Sequence, residues 1–141
     1  MTSSDLTVLI NTMEDERIEH LLRLFTDVKL TVSLPPRTGL MMLTVQDSFG
    51  TDFHVGEVLV TEARVLFHGS EGFGMVAGEA PRRALARAAA DAVLRCPEST
   101  VIQKNLISWL RQQEGLQATR QAEQTALVAA TKVNFDLMPG A

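Results

Sequence analysis

Apolar residues near the N-terminus recur at helical spacing in two successive stretches. The polar run 3–5 offers N-caps for a first helix, and Thr12 with Asp15 three residues later resembles a capping box for a second. The spacing i, i+3, i+4 and i+7 places side chains on one face of a helix. It predicts a helical N-terminal layer, broken near residues 11–14. The apolar positions are Leu6, Leu9, Ile10 and Met13, then Ile18, Leu21, Leu22 and Phe25.

Beyond the second helix the pattern changes to period two, which is typical of half-buried strands. Pro35-Pro36 ends the first strand, because proline cannot donate to a sheet ladder. A second strand follows Gly39, and a third is the long segment Phe53–Phe67. In the third strand the apolar parity changes between Val60 and Thr61, which either a bulge or a sharp twist would accommodate. The fourth is Gly72–Gly78. Short turns between strands favour antiparallel neighbours, so we predict a mostly antiparallel sheet of about four strands.

One face of the Gly72–Gly78 strand is nearly bare backbone. Phe73, Met75 and Ala77 fall on one face, and Gly72, Gly74, Val76 and Gly78 fall on the other. Glycines at period two indicate that another backbone, a packed helix or a ligand approaches closely. The helix that begins at Pro81 is one candidate, because one of its faces carries mostly small side chains and can pack closely. This face consists of Ala84, Leu85, Ala88, Ala89, Ala92 and Cys96.

The C-terminal third of the chain again has helical spacing. Cys96-Pro97 marks a break, and Gly115 allows a bend before a last helix at about Leu116–Thr131. The apolar stripe of the helix between them is Ile102, Leu106, Trp109 and Leu110. Helices before and after a run of strands favour a two-layer α+β domain with N- and C-terminal helices packed on the sheet. The 141 residues fit a single domain, 1–141.

Composition and charge narrow the class of protein. The chain is 45% hydrophobic and 21% charged, which is ordinary for a globular domain. A net charge of −4 argues against broad nucleic-acid binding. The single Cys96 excludes an internal disulfide and a multi-cysteine zinc site, and the chain has no apolar run that would span a membrane. We expect a cytoplasmic protein with no metal site.

Arginines at the start of the helix opened by Pro81 form the sharpest candidate site. Arg82, Arg83 and Arg87 lie near the positive end of the helix dipole, where basic residues are locally unfavourable. One hypothesis is that they bind an anion, either a phosphate group or an acidic partner surface. The alternative is a solvated face, in which Asp91 pairs with Arg87 and Arg95 at spacing i, i+4.

The remaining chemical signals favour structural roles. Gly72-x-Gly74-x-x-Ala77 matches a loose dinucleotide fingerprint, but the helix opens only at Pro81, so a structural glycine strand is favoured. The three histidines lie in separate segments without metal-ligand spacing. Cys96 follows an apolar stripe and is interpreted as a core residue. The residues by themselves identify no catalytic residue.

Several segments of the sequence together match one known family in their order along the chain. They are Thr38–Leu40, Gly56–Ala63, Gly72–Gly78, Ala84–Leu94 and Ala129–Phe135 with Met138. On these segments the chain resembles the PhnG subunit of the bacterial carbon–phosphorus lyase system. The resemblance covers most of the sequence, and it would make the chain a single PhnG-like domain. It departs at Glu79-Ala80, where family members often have Arg-Asp, and at Asn134, which replaces a commonly acidic position.

The resemblance implies a role in phosphonate catabolism. It implies that the chain acts with the PhnH, PhnI and PhnL proteins as a subunit of a transferase complex. This complex makes alpha-D-ribose 1-methylphosphonate 5-triphosphate from ATP and methylphosphonate. Nucleosidase-like chemistry is associated with PhnI, and later carbon–phosphorus cleavage with PhnJ and its iron–sulfur cluster. PhnG itself resembles an accessory subunit within an oligomer, so we expect this chain to bind no cofactor.

Partner contact is predicted at the C-terminal end of the chain. The tail is apolar with little evident local cover, although it also suits a strap that closes the domain. The candidate residues are Thr131, Lys132, Val133, Phe135 and Met138. An alternative function is a phosphate-metabolite-binding domain that uses Arg82 and Arg83, and a third is an enzyme active by itself.

Overall fold

The structure, a computed structural model, describes residues 2–131. It contains four helices and three strands in that part of the chain. They are α1 (Ser3–Thr12), α2 (Asp15–Leu24), β1 (Thr31–Gln46), β2 (Asp52–Phe67), β3 (Ser70–Ala77), α3 (Pro81–Arg95) and α4 (Val101–Thr131). Among the described residues, those up to Leu106 form one compact unit, and those from Ile107 to Thr131 belong to another. The predicted α+β class is confirmed, whereas the single domain stays a prediction.

The sheet is antiparallel with the order β1-β2-β3, so it has three strands rather than about four. The prediction that Pro35-Pro36 ends a strand was wrong, because both prolines lie inside β1. This strand is at the edge of the sheet, where a missing N–H need not break a ladder. The register shift between Leu34 and Arg37 accommodates the two prolines. A bulge in β2 lies at Val55, between the pairs Leu43–Gly56 and Thr44–His54, and not at the change of apolar parity after Val60, where the pairing continues in register. The parity changes there because the side chains of Ala63, Val65 and Phe67 are buried, whereas Val58 lies exposed on the other face.

Helix α3 covers one face of the sheet, and the bare face of the glycine strand explains how closely it approaches. A Cβ atom at Gly72 would lie 2.1 Å from the Ala88 carbonyl oxygen and 2.2 Å from the Ala92 nitrogen. At Gly74 it would lie 2.3 Å from the Ala84 carbonyl oxygen. The structural interpretation of this segment is therefore confirmed, since the backbone of α3 fills the space above both glycines.

The prediction that Gly78 belongs to the bare face of the glycine strand was wrong. β3 ends at Ala77, and a Cβ atom at Gly78 would meet nothing within 4 Å. Its φ of +77° instead suits the turn from β3 into α3, a conformation that glycine adopts without strain. The glycine is thus explained by backbone conformation.

The two predicted N-terminal helices are present, and both contact α3. Their caps differ from the prediction. Thr2, just before the polar run 3–5, caps α1 in a capping box with Asp5. Helix α2 begins after Glu14 without a side-chain cap, so the box expected between Thr12 and Asp15 is not formed. The buried residues of the two helices are Leu6, Leu9, Ile10, Ile18 and Leu21.

Helix α4 runs without interruption through Gly115, so the predicted bend between two C-terminal helices was wrong. A single glycine lowers helix stability by only about 1 kcal/mol, which the surrounding helix formers can offset. In the second unit the residues from 118 to 131 are all exposed. No helix in residues 2–131 is both long and apolar enough to cross a membrane.

Candidate functional site

Arg82 at the start of α3 is engaged by a carboxylate of the N-terminal layer. Its Nε and Nη2 both donate to Glu19, the latter to Oε2 at 2.7 Å. The hydrogen bond from Arg82 lowers the pKa of Glu19 below its ordinary value, and the same contact raises the pKa of Arg82. Both side chains are largely solvent-exposed, so this pair contributes little to stability.

Arg83 holds the junction between α1 and α2. Its Nη1 donates to the backbone carbonyls of Ile10 and Met13, and its Nη2 donates to Asp15 Oδ1 at 2.7 Å. The side chain is only 13% exposed. The carbonyls at a helix C-terminus lack intrahelical partners, so Arg83 satisfies groups that the end of α1 leaves free.

Arg87 is buried between α1 and α3, although the sequence suggested an exposed face. Its guanidinium donates to Thr7 Oγ1 at 3.2 Å and to Ser3 Oγ at 3.0 Å. Nη1 lies 3.5 Å from Asp91 Oδ1 and makes no hydrogen bond in the structure. Burial is the main cause that lowers the pKa of Arg87, and the nearby Asp91 carboxylate opposes this shift.

Asp91 is a residue whose central position the sequence did not reveal. Its Oδ2 accepts from the Phe73 backbone N–H at 2.9 Å and from Arg95 Nε at 2.9 Å, while Oδ1 faces Arg87. Asn11 Oδ1 similarly accepts from the Ala77 N–H at 3.0 Å. The predicted pairing of Asp91 with both arginines is confirmed. The carboxylate also covers the outer edge of β3, which would otherwise expose unpaired donors.

The three arginines therefore join α3 to the helices in front of it. Each has a carboxylate of this chain as a partner: Glu19, Asp15 and Asp91, in the order of the arginines. Anion binding by Arg82, Arg83 and Arg87 stays a prediction, and it would require the anion to compete with these carboxylates. Among residues 2–131 no group of three or more His, Cys, Asp or Glu side chains is placed to hold a metal ion.

Thr61 is a second buried polar residue that sequence reasoning missed. It is fully buried, and its Oγ1 donates to the Gly78 carbonyl at 2.6 Å while accepting from the Ala80 N–H at 3.0 Å. These bonds fix the turn that leads into α3. A threonine whose side chain faces the core is common in strands, so its type alone indicates no special role. Its contacts become visible only once the turn before α3 is placed beside it.

A different region exposes apolar surface that nothing else in residues 2–131 covers. β3 pairs with β2 only from Val60 to Phe67, so residues 40–59 extend beyond it as a two-stranded ribbon, here called the hairpin arm. All its residues are exposed. The exposed large apolar side chains are Leu40, Met41, Met42, Leu43, Val45, Phe49, Phe53, Val55, Val58 and Leu59.

The register assigns these side chains to two faces, because directly paired residues in an antiparallel ladder point the same way. One face, here called the open face, lies on the side of the sheet away from α3. It carries Met41, Leu43, Val45, Phe53 and Val58, each 38–48% exposed. At its base a cavity of about 250 Å³ is lined by residues that include Met41, Val60 and Met75. The open face thus presents a continuous apolar stripe.

The length of α3 explains why the arm is uncovered. A 15-residue helix spans about 22 Å, whereas a 16-residue strand spans about 50 Å. The helix can therefore cover only part of β1 and β2. The alternating apolar residues of the arm resemble those of a core strand, so their pattern does not show that they are exposed. The sequence indicates exposure only through the difference in length between the strands and the helix.

The C-terminal candidates are only partly described. Thr131 is exposed at the end of α4, where its hydroxyl donates to the Leu127 carbonyl at 3.0 Å. Lys132, Val133, Phe135 and Met138 lie outside the described residues. Partner contact through this segment stays a prediction.

The fold and its exposed surfaces define a small α+β protein whose sheet is covered by α3 on one face and extended by an apolar ribbon. The chain belongs to the PhnG family: the model described as "Phosphonate metabolism protein PhnG" matches residues 3–140. No curated protein matches the sequence. The resemblance inferred from the sequence is confirmed at the level of the family, and with it a role in phosphonate metabolism.

Proposed function

We propose that this chain is an accessory subunit of the carbon–phosphorus lyase assembly, acting with the PhnH, PhnI and PhnL proteins in phosphonate catabolism. In the reaction of the complex, a methylphosphonate oxygen displaces adenine from C1 of the ATP ribose. A carbon–oxygen bond forms, the glycosidic carbon–nitrogen bond breaks, and the products are adenine and alpha-D-ribose 1-methylphosphonate 5-triphosphate. The match of the PhnG family to residues 3–140 supports this placement.

The observation that carries the proposal is the uncovered apolar surface of the hairpin arm. Five apolar side chains on one face of the arm are each more than a third exposed. A contiguous exposed apolar patch marks an interaction site in soluble proteins. An assembly subunit would bury this surface against a partner, whereas a protein that acts alone would leave it in water.

The arginine cluster agrees with an accessory role. Arg82, Arg83 and Arg87 are held by carboxylates, hydroxyls and carbonyls of the same chain. These contacts strengthen the packing of α3 on the N-terminal layer. Under this proposal, ATP and methylphosphonate are substrates of the complex, bond-making belongs to its PhnI subunit, and PhnJ acts later, all in the cytoplasm.

Reconstitution with and without this chain tests the proposal. The PhnH, PhnI, PhnJ and PhnL proteins are purified together in both cases, and adenine release and triphosphate product are measured with ATP and methylphosphonate. We expect the chain to copurify with the assembly and product formation to fall when it is omitted. Full product formation by an assembly that lacks the chain and does not bind it when supplied would contradict the proposal.

A further inference from the structure

The hairpin arm combines its apolar open face with charged side chains that are all acidic. The sequence contains no lysine or arginine between Arg37 and Arg64. The arm carries three carboxylates instead, from Asp47, Asp52 and Glu57, and all three residues are exposed. The arm is therefore acidic as well as apolar.

The acidic residues and the apolar stripe lie on different sides of the arm. Glu57 pairs with Met42 and Asp52 pairs with Gln46, which places both carboxylates on the face opposite to the open face. Asp47 is in the turn, where its Oδ1 accepts from the Phe49 and Thr51 backbone N–H groups. The face opposite to the open face also carries Leu40, Met42 and Leu59, which are 42–64% exposed. A docking surface for this arm therefore needs an apolar floor for the open face and cations at the positions of the three carboxylates.

We infer that the arm inserts into a groove on a different polypeptide, with an apolar floor for Met41, Val58 and their neighbours and a rim of Lys and Arg side chains. This inference rests on the proposed function and adds the chemistry of the partner surface. Complementary charge at the rim speeds association and excludes wrong partners, while burial of the apolar stripe supplies affinity.

The charges argue against two binding partners that this chain could itself provide, a second copy of the arm and the segment 132–141. A second copy of the arm brings no Lys or Arg of its own, because the sequence has none between Arg37 and Arg64. A symmetric pair of arms, in which the same patch lies on both sides, would therefore leave the carboxylates of both copies without a basic partner. The segment 132–141 contains one lysine, Lys132, and one acidic residue, Asp136, so it brings no net positive charge to the arm.

Site-specific crosslinking in the assembled complex tests the inference. A photoreactive phenylalanine analogue replaces Val58 on the open face, and a matched control replaces Val8, which is exposed on α1. The chain is coexpressed with PhnH, PhnI, PhnJ and PhnL, irradiated and mapped by mass spectrometry. We expect the Val58 position to crosslink to one other polypeptide, at an apolar segment flanked by Lys or Arg, at least about tenfold above the Val8 control.

Other crosslinks would overturn the inference. Adducts from Val58 to a second copy or to residues 132–141, or none above the control in an assembly that contains the chain, would each contradict it while leaving the proposed function intact. Failure of the wild-type chain to join the assembly would overturn both.

Charge-neutralising variants give a second readout that does not depend on the photoreactive group. Asp52→Asn with Glu57→Gln is compared with Asp27→Asn with Glu16→Gln, which removes two exposed carboxylates outside the arm. At low salt we expect the arm variant to associate with the purified assembly about tenfold more slowly, and the control to change less than twofold. Equal rates for the arm variant and wild type would contradict a basic rim.

Discussion

The half of the sheet around β3 and the hairpin arm share two strands, yet they differ in what their side chains contact. Around β3, Gly72 and Gly74 lie directly beneath α3, and Asp91 and Asn11 accept from backbone N–H groups at the outer edge. In the arm, apolar side chains on both faces lie in water. The difference indicates that packing against α3 stabilises the fold, while the arm contributes little to the core; we propose that the arm serves contact with a partner.

The comparison predicts that stability is sensitive to substitution near α3 and insensitive in the arm. Gly72→Ala has the largest expected effect, because its Cβ would lie 2.1 Å from the Ala88 carbonyl and force α3 away from the sheet. We expect a loss of about 4 kcal/mol in the free energy of unfolding, measured by urea denaturation. Gly39→Ala is the matched control, since its Cβ meets nothing within 4 Å. Equal stabilities of the two variants would contradict the packing described.

Asp91→Ala is expected to have the next largest effect. It leaves the buried Arg87 guanidinium without its carboxylate and the Phe73 N–H without its acceptor. The expected loss is about 3 kcal/mol in urea denaturation, as for a broken buried pair. Arg95→Ala removes only the exposed partner of the same carboxylate and should cost less than about 1 kcal/mol. A larger loss for Arg95→Ala than for Asp91→Ala would show that the outer pair dominates.

Thr61→Val tests the turn that leads into α3. The substitution keeps the volume but leaves the Gly78 carbonyl and the Ala80 N–H without the hydroxyl. We expect a loss of about 2 kcal/mol in thermal or urea unfolding, the usual cost of unpaired buried groups. Thr31→Val, at an exposed position of β1 that pairs with Leu66 and not with Thr61, serves as the control and should change stability by less than about 0.5 kcal/mol. Equal losses would mean that the hydroxyl of Thr61 does not hold the turn.

Val58→Thr should have the smallest effect on stability, because the residue is exposed in the arm. We expect a change within about 0.5 kcal/mol in urea denaturation. The same substitution at Val65, buried further along β2, places a hydroxyl in the core and should cost about 2 kcal/mol. A large destabilisation by Val58→Thr would show that the arm is part of the core of the isolated chain.

Much of the fold followed from the sequence because it depends on local patterns. Helical spacing identified α1 and α2, and glycines at period two indicated a close approach to β3, for which α3 was one candidate. The pattern failed where context overrides local preference. Pro35 and Pro36 are tolerated because β1 is an edge strand, and Gly115 is tolerated inside a long helix. Edge position and helix length are properties of the assembled fold.

The candidate site was harder to predict, because exposure and pairing are decided by distant parts of the chain. The hydrogen-bond partners of Arg83 lie about 70 residues away in the sequence. The arginines at the start of α3 therefore gave no sign, at helical spacing, that other parts of the chain bind them. The arm was interpreted as ordinary strands for the same reason. An alternating apolar strand looks alike in sequence whether the chain covers it or leaves it open.

Hydrogen exchange of the chain alone and in the assembly tests whether the arm is exposed in the isolated chain and buried by a partner. We predict that amides of 40–46 and 52–59 exchange rapidly in the isolated chain and become protected on assembly. Amides of 61–67 and 72–76 should be protected in both states, because β2, β3 and α3 pack within the chain. Unchanged exchange in the arm, in an assembly shown to contain the chain, would contradict the account.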